Sequence, residues 1–183
     1  MLPSIAHKSS LGFTLIEIGA TTLIVGLLAA VGVPSFYDLY LRSQAAQAFD
    51  ETFAAIQEAQ TQASKFGKTC NIVLNVGNNT IKVDDPDDDR GCLINSRELP
   101  DTVSINSNRI NSPNNTVEIS FNFEGAPGFT SSRTIVVYDN RAGLDEPLQQ
   151  CVVISAGIGL MRVGNYNGDP TTTPAASNCR IQT

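Results

Sequence analysis

The chain has 183 residues, 42% of them hydrophobic, and a formal net charge of -6. That length carries one globular domain and an accessory segment rather than two full domains. The acidic balance argues against bulk electrostatic attraction to nucleic acid or to anionic lipid.

Residues 1–12 are short and polar, with Lys8 their only Lys or Arg. From Phe13 the chain is apolar as far as Val33 and ends that run at Pro34. Residues 13–34 are long enough to cross a hydrocarbon core of ~30 Å at 1.5 Å per helical residue. Lys8 ahead of the run, with no Lys or Arg inside it, places the N-terminus on the cytoplasmic side. An ordinary secretory signal has a shorter apolar core and small residues at a cleavage site beyond it. Here the apolar block runs on into an amphipathic helix, so the expected cut lies ahead of the block, after Gly12. Glu17 is the one acid inside the run. A carboxylate at such depth costs about 2.5–3.5 kcal/mol on insertion scales, which calls for a buried partner or for a helix-end position from which it reaches the interface. The small residues Gly19, Ala20, Gly26, Ala29, Ala30 and Gly32 allow close helix approach. Pro34, lacking an N–H donor, predicts a bend.

The stretch Gly12-Phe13-Thr14-Leu15-Ile16-Glu17 closely resembles the processing site of type IV prepilins and type II secretion pseudopilins, and the resemblance covers roughly residues 8–42. It implies that a membrane aspartyl peptidase cuts between Gly12 and Phe13 and that Phe13 becomes the methylated N-terminus. It further implies that Glu17 takes part in subunit assembly, and it puts Pro34 where the family often has a kinking proline. The implied partners are other pilin subunits, the prepilin peptidase and an inner-membrane assembly platform. The implied course is a single pass through the inner membrane with an outward-facing head, then a cell-surface filament. In a packed helical core, Glu17 can pair with the Phe13 α-amine of its own or a neighbouring chain. A misregistered subunit would leave that buried ion unpaired, which would set axial register. Loss of residues 1–12 takes away His7, the chain's single histidine. No Ser-His or Cys-His nucleophile and no histidine-based zinc site would then remain.

In residues 35–66, Ala45, Phe49, Phe53, Ile56, Ala59, Ala63 and Phe66 recur at steps of three and four and form one apolar stripe, with Gly67 as the stop. Residues 67–183 read as a β-rich head. Short strands are expected at 71–76, 80–83, 103–105, 116–123, 133–138, 151–155 and 160–163, separated by Gly, Pro, Asn and Asp clusters. The fold class is therefore α+β, a long N-terminal helix packed on an antiparallel sheet region. Residues 57–70, 119–125 and 152–163 also resemble stretches of the pseudopilin-H-like minor pilins, so the resemblance implies a pilin fold of that class.

Cys70, Cys92, Cys151 and Cys179 are an even set in an exported head, which suggests disulfides. Three pairings are open, and Cys70–Cys92 with Cys151–Cys179 is favoured because each closes a short local loop. The acidic run 84–89 offers Asp85, Asp87 and Asp89 as calcium ligands. Its spacing misses an EF-hand loop, so a solvated hairpin loop is the preferred reading and no metal or other cofactor is expected. Arg133, Arg141, Arg162 and Arg180 are the head's possible phosphate contacts. The segment 159–162 keeps one arginine where DNA-capturing minor pilins of the resembling class carry several, so DNA is a weak expectation. The tail 168–177 reads as an exposed loop. Three readings are thus compared: a structural minor pilin or pseudopilin, a filament-borne receptor for DNA or surfaces, and an enzyme. The last has no P-loop, G-x-S-x-G or H-E-x-x-H motif to support it.

Overall fold

The computed structural model describes residues 12–84, 91–111, 114–140 and 148–181, leaving out the side chains of 31–35. The chain divides into two units, 1–40 and 41–183. Helix α1, Leu15–Phe66, belongs partly to each.

Local chemistry sets both ends of α1. Thr14 caps its start: the Thr14 hydroxyl accepts the Glu17 N–H at 3.3 Å, and the Glu17 carboxylate accepts the Thr14 N–H at 3.4 Å. This reciprocal pair is a capping box, which satisfies two of the backbone donors that a helix leaves free at its start. At the other end Gly67 takes φ +61°, and the Lys68 N–H returns to the Ala63 carbonyl at 3.1 Å. That is the Schellman closure, which glycine permits at no Cβ cost.

In the first unit every described side chain from Leu15 to Ala30 is exposed, Leu15 at 91% and Leu28 at 70%. Among the described residues no helix is long and apolar enough to cross a membrane, and they cover the expected 13–34 span only in part. The described apolar stretch runs from Leu15 to Ala30, roughly 24 Å at 1.5 Å per residue, short of a ~30 Å core. The end of the expected 13–34 segment, Pro34 included, has its side chains outside the described residues.

In the second unit, Leu41, Ala45, Ala48, Phe49, Thr52, Ala55, Ile56, Ala59 and Ala63 form the buried face of α1. Two members of the expected stripe depart from it. Phe53 is half-buried, and Phe66 is 53% exposed. The buried face ends at Ala63, and in the last turn the Lys65 ammonium lies 5.3 Å over the Phe66 ring.

The head has two antiparallel sheets rather than one sheet region. The strands are β1 Cys70–Asn75, β2 Thr80–Val83, β3 Arg97–Glu98, β4 Val103–Ser107, β5 Thr116–Phe121, β6 Arg133–Asp139, β7 Gln149–Ile154, β8 Met161–Tyr166 and β9 Cys179–Arg180. One sheet runs β3-β2-β1-β5 and the other β4-β6-β7-β8-β9. Side chains alternate across a strand. In the first sheet Ile72, Leu74, Ile81, Val117, Ile119 and Phe121 therefore enter the core, and in the second Val103, Ile105, Ile135, Val137, Val152 and Ile154 do so. These residues and Ala45, Ala48, Phe49, Ala55, Ile56, Ala59 and Ala63 of α1 make one continuous core. Strands β3 and β9 have two residues each, too few for alternation to show in a sequence.

The other face of the five-stranded sheet carries a smaller core of Val136, Cys151 and Tyr166, with Tyr138 and Cys179 beside it. The C-terminal segment is fastened there. Asn106 Nδ2 donates to the Pro170 and Thr172 carbonyls at 2.6 and 2.8 Å, and the Ala175 N–H donates to the Tyr166 hydroxyl at 3.2 Å.

Candidate functional site: the helix start and the head surface

Gly12, Phe13 and Thr14 precede the helix, and Phe13 is 77% exposed. The Gly12–Phe13 bond thus lies in non-helical backbone. Glu17 is exposed on the first turn, where the helix macrodipole favours an anion. Its contacts with Thr14 use Oε2. The carboxylate is therefore oriented by its own chain while still facing outward. This capping role is legible as Thr-x-x-Glu ahead of an apolar run, although the acid's position in that run equally suggests charge pairing.

In the head, Cys70 is bonded to Cys92 and Cys151 to Cys179, and no cysteine is free. The first bridge holds the segment leading to β3 close to α1. There Glu58 accepts the Ile94 N–H at 2.8 Å and pairs with Arg97 at 2.6 Å, while Arg97 also donates to the Glu51 carbonyl at 2.7 Å. Gln60 makes the corresponding tie further along α1. Its Nε2 donates to the Gly125 carbonyl at 2.9 Å and the Gly159 carbonyl at 3.1 Å, joining a loop from each sheet to the helix. Both loops are left-handed at those glycines, and a Cβ at Gly159 would lie 2.7 Å from Gln60 Nε2. These ties were not readable from sequence, because single polar residues on an amphipathic helix carry no mark of their partner.

The calcium candidates Asp85, Asp87 and Asp89 lie outside the described residues, as does Arg141. Among the described residues no group of three or more His, Cys, Asp or Glu could hold a metal ion. The remaining arginines are not gathered. Arg180 pairs with Asn165 and Tyr166 with Cys179, so Arg180 shares a sheet face with Asn165, and Arg162, three residues earlier on β8, falls on the opposite face. Arg133 lies elsewhere, its guanidinium 5.1 Å over the Phe129 ring. Burial, then the nearby Arg109, push its pKa down, and Glu118 opposes them. In the tail, the Thr171 hydroxyl and N–H both donate to Asp169, at 2.6 and 2.9 Å, and hold that exposed carboxyl below its ordinary range.

The long helix on an antiparallel head has a solved counterpart. The type IV minor pilin FimU of Pseudomonas aeruginosa superposes with a TM-score of 0.50 at 12% identity, over 73% of this chain and 94% of that one. The fold of this chain is that of a type IV pilin. Two fimbrial proteins of Pseudomonas aeruginosa are each 38% identical over 61 residues, a third of this chain. The match spans 39% of each relative's length. No family model matches the chain.

Proposed function

We propose that this chain is a minor pilin or pseudopilin, a structural subunit built into a type IV pilus or a type II secretion pseudopilus after prepilin processing. The observation that carries the reading is the uncovered first part of α1. From Leu15 to Ala30 it presents exposed apolar side chains around a single acid, Glu17, on a protein whose head already has its own core. Apolar area in water is unfavourable by roughly 25 cal/mol per Å², so this rod calls for a cover that the described residues do not supply. Helices of neighbouring subunits are the cover in a filament, and small residues such as Gly19, Ala20 and Gly26 suit their close approach.

On this reading Gly12 and Phe13 flank the processed bond, and Phe13 carries the methylated amine. Before assembly the run from Phe13 to Pro34 holds the subunit in the inner membrane as a single pass, and the peptidase and assembly platform act on it there. Glu17 then takes the positive N-terminus of its own or a neighbouring subunit as counter-ion. The function is one of assembly and assigns no catalytic group. Similarity to FimU and to the fimbrial proteins supports a minor pilin rather than an unrelated membrane-anchored head. The division of Arg162 and Arg180 between two faces gives no support to DNA capture by the head.

Intact mass spectrometry of the subunit taken from filaments tests the proposal. The expected species begins at Phe13, carries one methyl group and lacks the hydrogens of four thiols. A filament subunit that still begins at Met1 would overturn it.

A further inference from the structure

The two disulfides of the head are set in very different surroundings. Cys70 opens β1, an interior strand of the four-stranded sheet, and both Cys70 and Cys92 are fully buried members of the main core. Cys151 is fully buried as well, on the interior strand β7. Its partner Cys179 is only half-buried. Cys179 lies on β9, a two-residue strand at the edge of the five-stranded sheet, held to β8 through Asn165 with Arg180 and Tyr166 with Cys179.

The second bridge closes a strap, residues 167–179, on the outer face of that sheet, where Val136 and Tyr166 are buried with Tyr138 beside them. Gly164 on β8 lets the strap's end close down, since a Cβ there would collide with the Arg180 carbonyl. The remaining ties are hydrogen bonds. The Asn167 N–H donates to the Asn178 carbonyl at 2.8 Å, the Ala175 N–H to the Tyr166 hydroxyl, and Asn106 to the Pro170 and Thr172 carbonyls. The Asn106 and Ala175 bonds are exposed or only part-buried, where each adds little net stability. The bridge is therefore the one covalent tie of the strap to an interior strand.

Thiol–disulfide exchange needs access of a thiolate to a sulfur. Reaching Cys70–Cys92 means opening the main core, whereas reaching Cys179 means only fraying a two-residue edge strand. Local openings of the second kind need the least free energy in a native protein. We propose that Cys151–Cys179 is a redox clasp: a small thiol reduces it in the folded head while Cys70–Cys92 stays intact, and the strap then lifts off the five-stranded sheet. The thiolate attacks Cys179 Sγ, the Sγ–Sγ bond breaks, and Cys151 leaves as a thiolate that takes up a proton. A second thiol attacks the mixed disulfide at the small thiol's sulfur and releases Cys179 as a thiol. Two small thiols are thus oxidised to one disulfide, and one protein disulfide is reduced to two thiols. Lifting the strap uncovers Val136 and Tyr166, so the clasp sets whether this face is closed by its own chain or open. The clasp is independent of the assembly reading.

The test treats the full chain in detergent micelles with excess 2-mercaptoethanol, traps free thiols with iodoacetamide at intervals, and maps the labelled peptides by mass. Cys151 and Cys179 should be labelled at least about tenfold sooner than Cys70 and Cys92, because the strand that shields them opens locally. Hydrogen exchange then reads the strap. Once the clasp is reduced, the Asn167 and Ala175 amides should exchange about tenfold faster or more, with Ile72 and Ile119 in the first sheet unchanged. The double substitution Cys151→Ser and Cys179→Ser should give the same exchange pattern with no thiol present, which separates the lost bridge from any other action of the reductant. Reduction of Cys70–Cys92 as early as Cys151–Cys179 would overturn the proposal. So would a strap that keeps its protection after the clasp is reduced.

Discussion

Ile16 and Leu28 in the first part of α1 are 81% and 70% exposed, whereas Ile56 and Ala59, farther along the same helix, are fully buried. All four are apolar residues on one helix. What differs is the neighbour: the later part of α1 has two sheets of its own chain packed against it, and among the described residues nothing covers the earlier part. Burial of one Ile or Leu side chain is worth roughly 1.5–3 kcal/mol. The head collects that energy on folding, whereas the uncovered rod can collect it only on association. The two regions should therefore answer to different experiments.

The largest expected effect separates them at Glu17. Glu17→Ala should still be processed but enter filaments at least about tenfold less, with the head's melting temperature unchanged, since unpaired charges in an apolar core cost several kcal/mol. Glu17→Gln refines the comparison, because it keeps an acceptor for the Thr14 cap and removes the charge. If charge pairing governs assembly, Gln behaves like Ala; if the cap alone matters, Gln assembles as wild type does. Quantitative immunoblotting of sheared filaments reads both variants.

Within the head, the double substitution Cys70→Ser and Cys92→Ser should lower unfolding stability by about 3 kcal/mol, the loop-closure value for a bridge of this span. Denaturant titration followed by tyrosine fluorescence measures it. A smaller loss, about 1–2 kcal/mol, is expected for Gln60→Ala, which leaves two loop carbonyls without their donor. Hydrogen exchange should rise first around Gly125 and Gly159 and not along the first turns of α1. If exchange instead rose along the exposed part of α1, the independence of the two regions would be refuted.

The smallest effect is confined to the tail. The Thr171 hydroxyl, then the Thr171 N–H, hold the Asp169 carboxyl below its ordinary range. A depressed folded pKa contributes order that is fully present above the unfolded value of ~3.9 and lost as pH falls through the folded value. The Thr171 amide resonance should therefore move at a pH below the ordinary carboxylate range. Asp169→Asn should abolish that movement and leave the head's stability at neutral pH unchanged.

Much of the architecture was legible because periodicity reports burial. The steps of three and four from Ala45 to Ala63 mark the face that enters the core, and the alternation of Val117, Ile119 and Phe121 marks the inward side of β5. Phe66 misled, because its spacing continues the stripe one position past the buried surface. The capping box was present in plain letters at Thr14 and Glu17. The letters alone leave its role open, because a carboxylate in an apolar run has more than one physical explanation and only the tertiary structure reveals which atoms it touches.

Taken alone, the sequence determined the α+β class, the uninterrupted apolar block with its single acid, and most strand positions, since these follow from local spacing and composition. Tertiary structure alone decided that the strands divide into two sheets, that Gln60 and Glu58 bind the loops to α1, and that Arg162 and Arg180 face apart. Pairing partners far apart in the chain leave no periodic trace, because any inward-facing strand is compatible with several neighbours until the whole core is packed.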